Sequence, residues 1–452
     1  MTRSRPVRNG RAYFVFQRWW APATVVTLGP VKVTLLTHGT RGDLQPHLNV
    51  AHELRVRGHA VVVAANSNNL GVVHRAGLES YEIPVDTREL LESPKMQRLL
   101  LSGRSSQFGR EIARFEAVHG PAMDAAMIEA ARDADVLVTG PLTAMSALSI
   151  AEAGDQALVG CFPYPVERTR EFPSPFVVER QLTSPMLCLA TYAAVDLVWQ
   201  YMNRGATRRI RRTLGLRGRV SSPFARIRDQ RIPVELMVSP VLLPKPGDWQ
   251  DNYAVAGAPF LSPEQRLAWG EGAIDPELDA WLDEGEPPVY FSFGSLPVLD
   301  RAACLEMIGT VARRSGVRAL VGAGWSDFRP GVNADRSMLV TGAFDYDRVL
   351  PRCRAAIHHG GAGTTHDVAR AGIPAVITHV FPDHILWGWR LAALGIGSAV
   401  PYRKVNADLL IEALAPVLSS AAAQRARAVG EAMSRERGAS QVCDTIERQA
   451  AA

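Results

Sequence analysis

The sequence predicts an α/β protein of two doubly wound lobes, and three observations carry that prediction. The chain is 452 residues long, too long for one ordinary core and about right for two. Short apolar, β-branched runs alternate with helix-period segments in two separate series, as in parallel strands joined by crossover helices. Each series contains a strand that ends in a glycine-bearing turn and then opens a helix, the place where an open α/β sheet gathers its ligands.

The first series begins at residues 31–37, breaks at Gly39-Thr40-Arg41-Gly42-Asp43 and resumes as a helical pattern over 46–57. Gly58-His59 ends that helix and residues 60–65 supply the next strand, completing a βαβ unit. Residues 136–139 and 157–161 read as later strands of the same sheet. From 165 to 243 the pattern is helical and irregular, punctuated by Pro173, Pro175 and Pro185, with an apolar helix over 186–201. The proline-rich stretch 240–246 reads as the linker between lobes.

The second series follows at 289–293, 319–322, 338–341, 355–358 and 375–378, each run passing through a turn into helix-like sequence. Residues 407–449 read as a broken helix with too little apolar surface for a third domain. The expected organisation is a basic, loosely ordered leader over 1–30, a first lobe over 31–243 and a linker with the start of the second lobe over 244–285. The second lobe occupies 286–425, and a terminal helix over 426–452 packs back across both lobes.

Hydrophobic residues make up 47% and charged residues 21%, so neither disorder nor a membrane bundle is indicated. The net charge of +5 favours anionic small molecules, while the scatter of lysines and arginines argues against a nucleic-acid partner. Cys161, Cys188, Cys304, Cys353 and Cys443 are widely spaced, odd in number and without a C-x-x-C pair. That argues against a disulfide framework and a zinc site and fits a cytoplasmic location. The leader lacks the apolar stretch of a signal peptide, no segment is long enough to span a bilayer, and no stable membrane insertion is expected. Oligomeric state is not legible.

The strongest chemical signal is His358-His359-Gly360-Gly361-Ala362-Gly363-Thr364-Thr365, where a strand runs through glycines into a helix. Such a turn leaves backbone N–H groups uncovered and aims them, with the positive end of the helix dipole, at an anion. A pyrophosphate suits it. Thr364 or Thr365 is placed to cap the helix or reach a phosphate oxygen, and His359 to donate a hydrogen bond.

Together with Ala371-Gly372-Ile373-Pro374 and Phe381-Pro382-Asp383, this turn resembles the nucleotide-sugar signature of family-1 glycosyltransferases, bacterial natural-product and sterol enzymes above all. The resemblance extends to residues 33–46, similar to the acceptor-side loop of vancomycin-type enzymes, and to Val289-Tyr290-Phe291-Ser292-Phe293-Gly294-Ser295. It implies the GT-B fold, two Rossmann-like domains facing a central cleft. It also implies inverting, metal-independent transfer from a UDP or dTDP sugar to the hydroxyl of a small hydrophobic acceptor. No cofactor is implied beyond the donor itself. Carried over by residue, the resemblance makes Gly294 and Ser295 a phosphate-side loop and sets His359, Gly361, Ala362, Gly363 and Thr364 on the diphosphate. Phe344 and Asp345 fall at the nucleobase, Asp367 at the ribose hydroxyls and Asp383 at the sugar hydroxyls. His384 stands where relatives carry Gln and offers one donor and one acceptor in place of two donors and an acceptor.

The acceptor hydroxyl needs a base. Asp43 occupies the position where related enzymes carry a histidine or an aspartate, with helix capping as its structural alternative, and His38 is the second candidate. His47 and His52, at helix spacing, read as facing solvent or a neighbour. Two Asp-x-Asp triplets, Asp133-Ala134-Asp135 and Asp345-Tyr346-Asp347, invite a metal reading. The first precedes its strand and the second lies beside a helix start that already supplies positive field, so no metal ligands are assigned. Tyr192, Trp199 and Tyr201 of the apolar helix are candidates for an acceptor pocket. A sugar-nucleotide epimerase and a non-catalytic nucleotide-sugar-binding protein are the alternatives. A nicotinamide oxidoreductase fits less well, because neither Gly322-Ala323-Gly324 nor Gly361-Ala362-Gly363 has the third glycine.

Overall fold

The computed structural model describes residues 29–102, 105–269, 275–294, 298, 300–324, 328, 330–333 and 336–452. The expected leader therefore lies outside the described residues, apart from Gly29 and Pro30. Among those residues the strands form two sheets of seven. The first contains β1 (Lys32–Leu36), β2 (Ala60–Asn66), β3 (Glu79–Ile83), β4 (Val136–Thr139), β5 (Ala157–Phe162), β6 (Val234–Leu236) and β7 (Tyr253–Val255), ordered β3-β2-β1-β4-β5-β6-β7. All of its pairings are parallel. Parallel strands need helices on both faces, which is why their sequences run apolar without alternation: Val33, Leu35 and Leu36 of β1 and Val136, Leu137 and Val138 of β4 are all buried.

The second sheet contains β8 (Val289–Ser292), β9 (Ala319–Gly322), β10 (Gly331–Val332), β11 (Met338–Thr341), β12 (Ala355–His358), β13 (Ala375–His379) and β14 (Gly397–Pro401). Its order is β10-β11-β9-β8-β12-β13-β14, and only the edge pairing of β10 with β11 is antiparallel. The architecture is GT-B: two Rossmann-like lobes, each doubly wound.

Three expectations need correction. Helix Arg41–Val56 starts well before Pro46, because Thr40 caps it and Asp43 closes a capping box at its third position. Asp43 thus belongs to a helical first turn and not to a loop. Residues 240–246 do not join the lobes, since they connect β6 to β7 and both strands belong to the first sheet; the first lobe runs past the expected boundary at 243. The apolar helix expected over 186–201 runs over Pro185–Thr213, begun by the Ser184 cap and Pro185.

The lobes are tied together by specific bonds. Ser239 N–H of the first lobe donates to His366 Nε2 of the second at 3.0 Å. Arg390 Nε donates to Leu242 O at 2.6 Å. Ser239 Oγ donates to Glu436 Oε1, and Arg403 pairs with Glu179. The chain end returns to the first lobe, where helix Gly438–Ala450 packs on helix Arg41–Val56, β4 and β5. Its Val442, Cys443 and Ile446 are buried in that lobe's core. Arg57 holds Asp444 at 2.6 Å and Glu447 at 3.0 Å, while His59 Nε2 meets Glu447 at 3.0 Å. Truncating Ile446 to Ala leaves a cavity the packed helix cannot refill, so urea unfolding is expected to show a loss of about 2–5 kcal/mol. A change below about 0.5 kcal/mol, the range of surface substitutions, would mean that the helix is not part of the core.

Candidate active site

In each sheet the chain reverses its direction of strand addition once, between β1 and β4 and between β8 and β12. At such a point the loops leaving two neighbouring strands diverge and open a crevice at the strand carboxyl ends. In the first lobe this crevice is a small cavity lined by Thr37, His38, Asp43, His47, Gly140, Leu142 and their neighbours. Pro141 is shared with a second small cavity, whose wall includes Tyr164, Val166, Phe176, Val195, Trp199 and Phe224. A polar chamber thus adjoins an apolar one.

Asp43 Oδ2 accepts from Thr40 N at 2.8 Å and from Thr40 Oγ1 at 3.2 Å. The capping box engages one carboxylate oxygen, so capping and a role in the cavity are compatible. Burial raises Asp43 to about 6 against the bonds from Thr40, which lower it. His38 Nδ1–H donates to Asn66 Oδ1 at 3.0 Å, and Asn66 Nδ2 donates to Thr87 Oγ1 at 3.1 Å. That bond fixes the tautomer and leaves Nε2 as the basic nitrogen, while burial lowers the histidine below its ordinary range. His47, expected to face solvent or a neighbour, is buried in the cavity wall and donates from Nδ1 to Asp43 O at 2.8 Å. Burial lowers it to about 4, so it is neutral.

In the second lobe β8 leads to Gly294, and Ser295 lies outside the described residues. After β12, Gly361 is the N-cap of helix Ala362–Arg370 and supplies no side-chain bond to the first amides. The start of this helix, at Ala362, Gly363 and Thr364, therefore presents main-chain amides without a side-chain cap, an arrangement suited to an anion. A Cβ on Gly363 would meet nothing within 4 Å. Thr365 is not available to a phosphate: it is buried and its Oγ1 donates to Gly361 O at 2.9 Å. His359 stands between two glycines. A Cβ on Gly294 would lie 2.2 Å from its Cε1, and one on Gly361 would lie 2.5 Å from its Nε2. Burial lowers His358 to about 3 and His359 to about 4, so both are neutral.

The remaining candidates are more committed than the sequence implied. Phe344 is buried, with its ring edge-on to Tyr290 at 5.5 Å, so only its backbone is free for a base. Asp345 caps the next helix by accepting from Asp347 N at 2.9 Å. Asp345, Asp347 and Asp367 converge on Arg266, at 3.9, 3.3 and 3.2 Å. An arginine thus occupies the position between the carboxylates of the second Asp-x-Asp triplet. His384 Nδ1 accepts from Val380 N and Phe381 N at 3.4 Å each, its Nε2 lies 4.0 Å from Asp383 Oδ1, and the ring also bonds the His359 backbone. Asp383 is raised to about 7, first by burial and then by the charge of Asp43. Tyr164 is raised by burial and then by the charges of both aspartates. The two lobes therefore bring Asp43 and Asp383 within electrostatic reach of one another.

Of the aromatic candidates, Trp199 lines the apolar cavity, Tyr192 is buried in the core and Tyr201 points outward. Sequence reasoning missed Phe176, Phe224, Arg266, His366 and Asn66. Only Asn66 had a readable signal: β1 and β2 pair with Leu36 opposite Ala64, which carries His38 to the level of Asn66.

Facing lobes of this kind, each with its crevice at the point of reversal, define the GT-B architecture. Residues 33–158 match the glycosyltransferase family 28 N-terminal domain, and residues 340–447 match the C-terminal domain of erythromycin biosynthesis protein CIII-like proteins. An O-mycaminosyltylonolide 6-deoxyallosyltransferase of Streptomyces fradiae is 31% identical, over 93% of this chain and 98% of its own. A sterol 3-beta-glucosyltransferase of Arabidopsis thaliana is 28% identical, over 92% of this chain and 68% of its own. Among solved structures, the kitacinnamycin glycotransferase superimposes with a TM-score of 0.65 at 19% identity, covering 93% of this chain and 99% of that one. VinC, solved with dTDP, gives 0.60 at 15% identity, covering 93% and 99%. The chain belongs to the glycosyltransferase family of these macrolide and sterol enzymes and is itself a glycosyltransferase. Neither the epimerase reading nor the non-catalytic one is favoured.

Gly294→Ala is expected to push His359 out of place, because the added methyl overlaps the ring and the backbone sits at φ 57°. Calorimetry with a nucleoside diphosphate should show affinity reduced about tenfold or more, the effect of one lost hydrogen bond to a charged group. Parental affinity would show that His359 does not serve the donor.

Proposed function

We propose that the chain is an inverting, metal-independent transferase that moves a sugar from a UDP or dTDP donor to the hydroxyl of a small hydrophobic acceptor. The observation that carries this reading is the pair of adjoining cavities that share Pro141, one lined by Asp43 and His38 and the other by an aromatic wall. An apolar acceptor fills the wall of Tyr164, Phe176, Trp199 and Phe224 and presents its hydroxyl to Asp43. The dTDP bound to VinC supports the donor class.

In the step itself, Asp43 takes the hydroxyl proton as the acceptor oxygen forms its bond to the anomeric carbon. The bond from that carbon to the phosphate oxygen breaks on the opposite face, and the diphosphate leaves with the electron pair. Its charge falls on the amides of Ala362, Gly363 and Thr364 and on the dipole of helix Ala362–Arg370. Neutral His359 donates a hydrogen bond there. Asp383 accepts from sugar hydroxyls, and Asp367, already held by Arg266, is within the same lobe's nucleoside end.

A screen by thermal shift identifies the donor. A saturating UDP or dTDP sugar at about a hundred times its dissociation constant should add about 2.7 kcal/mol, and no shift with any activated sugar would remove the assignment. Asp43→Asn should lower kcat/KM by roughly 10² to 10⁴ fold with donor affinity unchanged.

The pH profile separates the two candidate bases. Asp43 acts as its carboxylate, so activity should rise as pH increases through about 6. That limb should vanish in Asp43→Asn. If it survives there and is lost in His38→Ala, the base is His38.

A further inference from the structure

Helix Pro185–Thr213 has two faces with different tasks. Val195 and Trp199 line the apolar cavity, whereas the opposite face carries Met186, Leu187, Leu197, Val198 and Tyr201 to solvent. These are not grazing exposures: Met186 is 70% exposed, Leu197 68% and Tyr201 67%. At helical spacing the same stripe continues into Arg204, Arg208 and Arg212, all exposed, and Arg217 and Arg219 follow just beyond the helix. The Arg204 guanidinium lies 4.1 Å over the Tyr201 ring, at the border between the apolar and basic halves. The one acid on the helix, Asp196, is turned away and accepts from Ser222 Oγ. An apolar stripe that gives way to arginines, with its single carboxylate withdrawn, matches the boundary of a membrane with negative headgroups.

We propose that this stripe docks on an anionic lipid bilayer. The apolar half lies along the boundary between headgroups and acyl chains, and the arginine half rests over the headgroups. Among the described residues no helix is long and apolar enough to cross a membrane, so the contact is peripheral and the helix lies in the plane of the surface. Docked in this way, the helix is the wall between the bilayer and the apolar cavity. The docking does not rest on the identity of the acceptor.

Flotation of the full chain with vesicles tests it. Phosphatidylcholine vesicles containing phosphatidylglycerol should carry the protein, pure phosphatidylcholine should not, and raised salt should weaken the capture. Arg204→Gln with Arg208→Gln should reduce partitioning roughly 30-fold, the effect of two charges near a surface. Leu197→Glu with Tyr201→Glu should abolish it while leaving the melting temperature and nucleoside diphosphate affinity unchanged. Should that second variant misfold, the arginine pair alone decides.

Undiminished flotation of folded variants of both kinds would overturn the proposal and move the lipid contact elsewhere on the chain, the leader included. Equal capture by neutral and anionic vesicles would also overturn it. So would a wild-type dimer in sedimentation that Leu197→Glu with Tyr201→Glu converts to monomer without any vesicle capture, because the stripe would then be covered by a second copy.

Discussion

A parallel sheet covered on both faces by helices offers almost nowhere for a ligand to reach its backbone. The exception is the single place where strand order reverses, because the two loops leaving neighbouring strands turn to opposite faces and leave a gap. Both sheets of this protein reverse once, at β1/β4 and β8/β12. Asp43 and His38 follow β1, and Gly140 to Thr143 follow β4; Gly294 follows β8, and His359 to Thr364 follow β12. Sheet topology therefore decides where chemistry is possible before any side chain is chosen. The contacts between Ser239 and His366, Leu242 and Arg390, and Glu179 and Arg403 then hold the two gaps on the same side of the molecule.

On the proposed reading, the second lobe holds its anion with exposed main-chain dipoles, since the helix after β12 starts without a side-chain cap. His358, His359 and His384 are all pushed toward the neutral form by burial. A neutral imidazole still donates one hydrogen bond and avoids the penalty of an unpaired buried charge. Arg266 is engaged by Asp345, Asp347 and Asp367, and Arg370 by Asp347. Removal of Arg266 would strip Asp345 and Asp367 of their ion-pair partner and leave Asp347 to Arg370 alone, which is the expensive way to break a buried ion cluster. The residues proposed for the site thus carry structural duties as well: Asp345 caps a helix, Asp367 is half of an ion pair, and Asp43 closes a capping box.

How much of this was legible follows the range of the interactions. Strands β8, β9, β11, β12 and β13 were visible because buried parallel strands announce themselves as short apolar runs. The glycine turn was visible because its chemistry is local. The edge strands β3, β7, β10 and β14 and the inner strand β6 were not, being short, polar or carrying Gly and Pro. Residues 240–246 misled because prolines mark a turn without saying what it connects. Arg266 and His366 could not be seen at all, since their partners lie 101 and 127 residues away in sequence. Asp43 was found by position and misplaced in structure, as Thr40 was not recognised as the cap.

The pair Asp43 and Asp383 shows what the facing lobes add beyond either one alone. Burial raises both carboxylates, and the charge of Asp43 raises Asp383 further. Folded-state values above the ordinary carboxylate value of about 4 mean that protons favour this arrangement. Their contribution to stability is fully present below about 4. It is lost as pH rises through about 6 for Asp43 and about 7 for Asp383. An empty cleft near neutral pH therefore holds two ionising groups in surroundings that disfavour their charge. Hydroxyl groups donating to Asp383 would relieve one, and a hydroxyl proton passing to Asp43 would relieve the other. On the proposed reading, the cleft is least comfortable empty and most nearly satisfied when the reaction is under way, which is the sense in which a site complements its transition state.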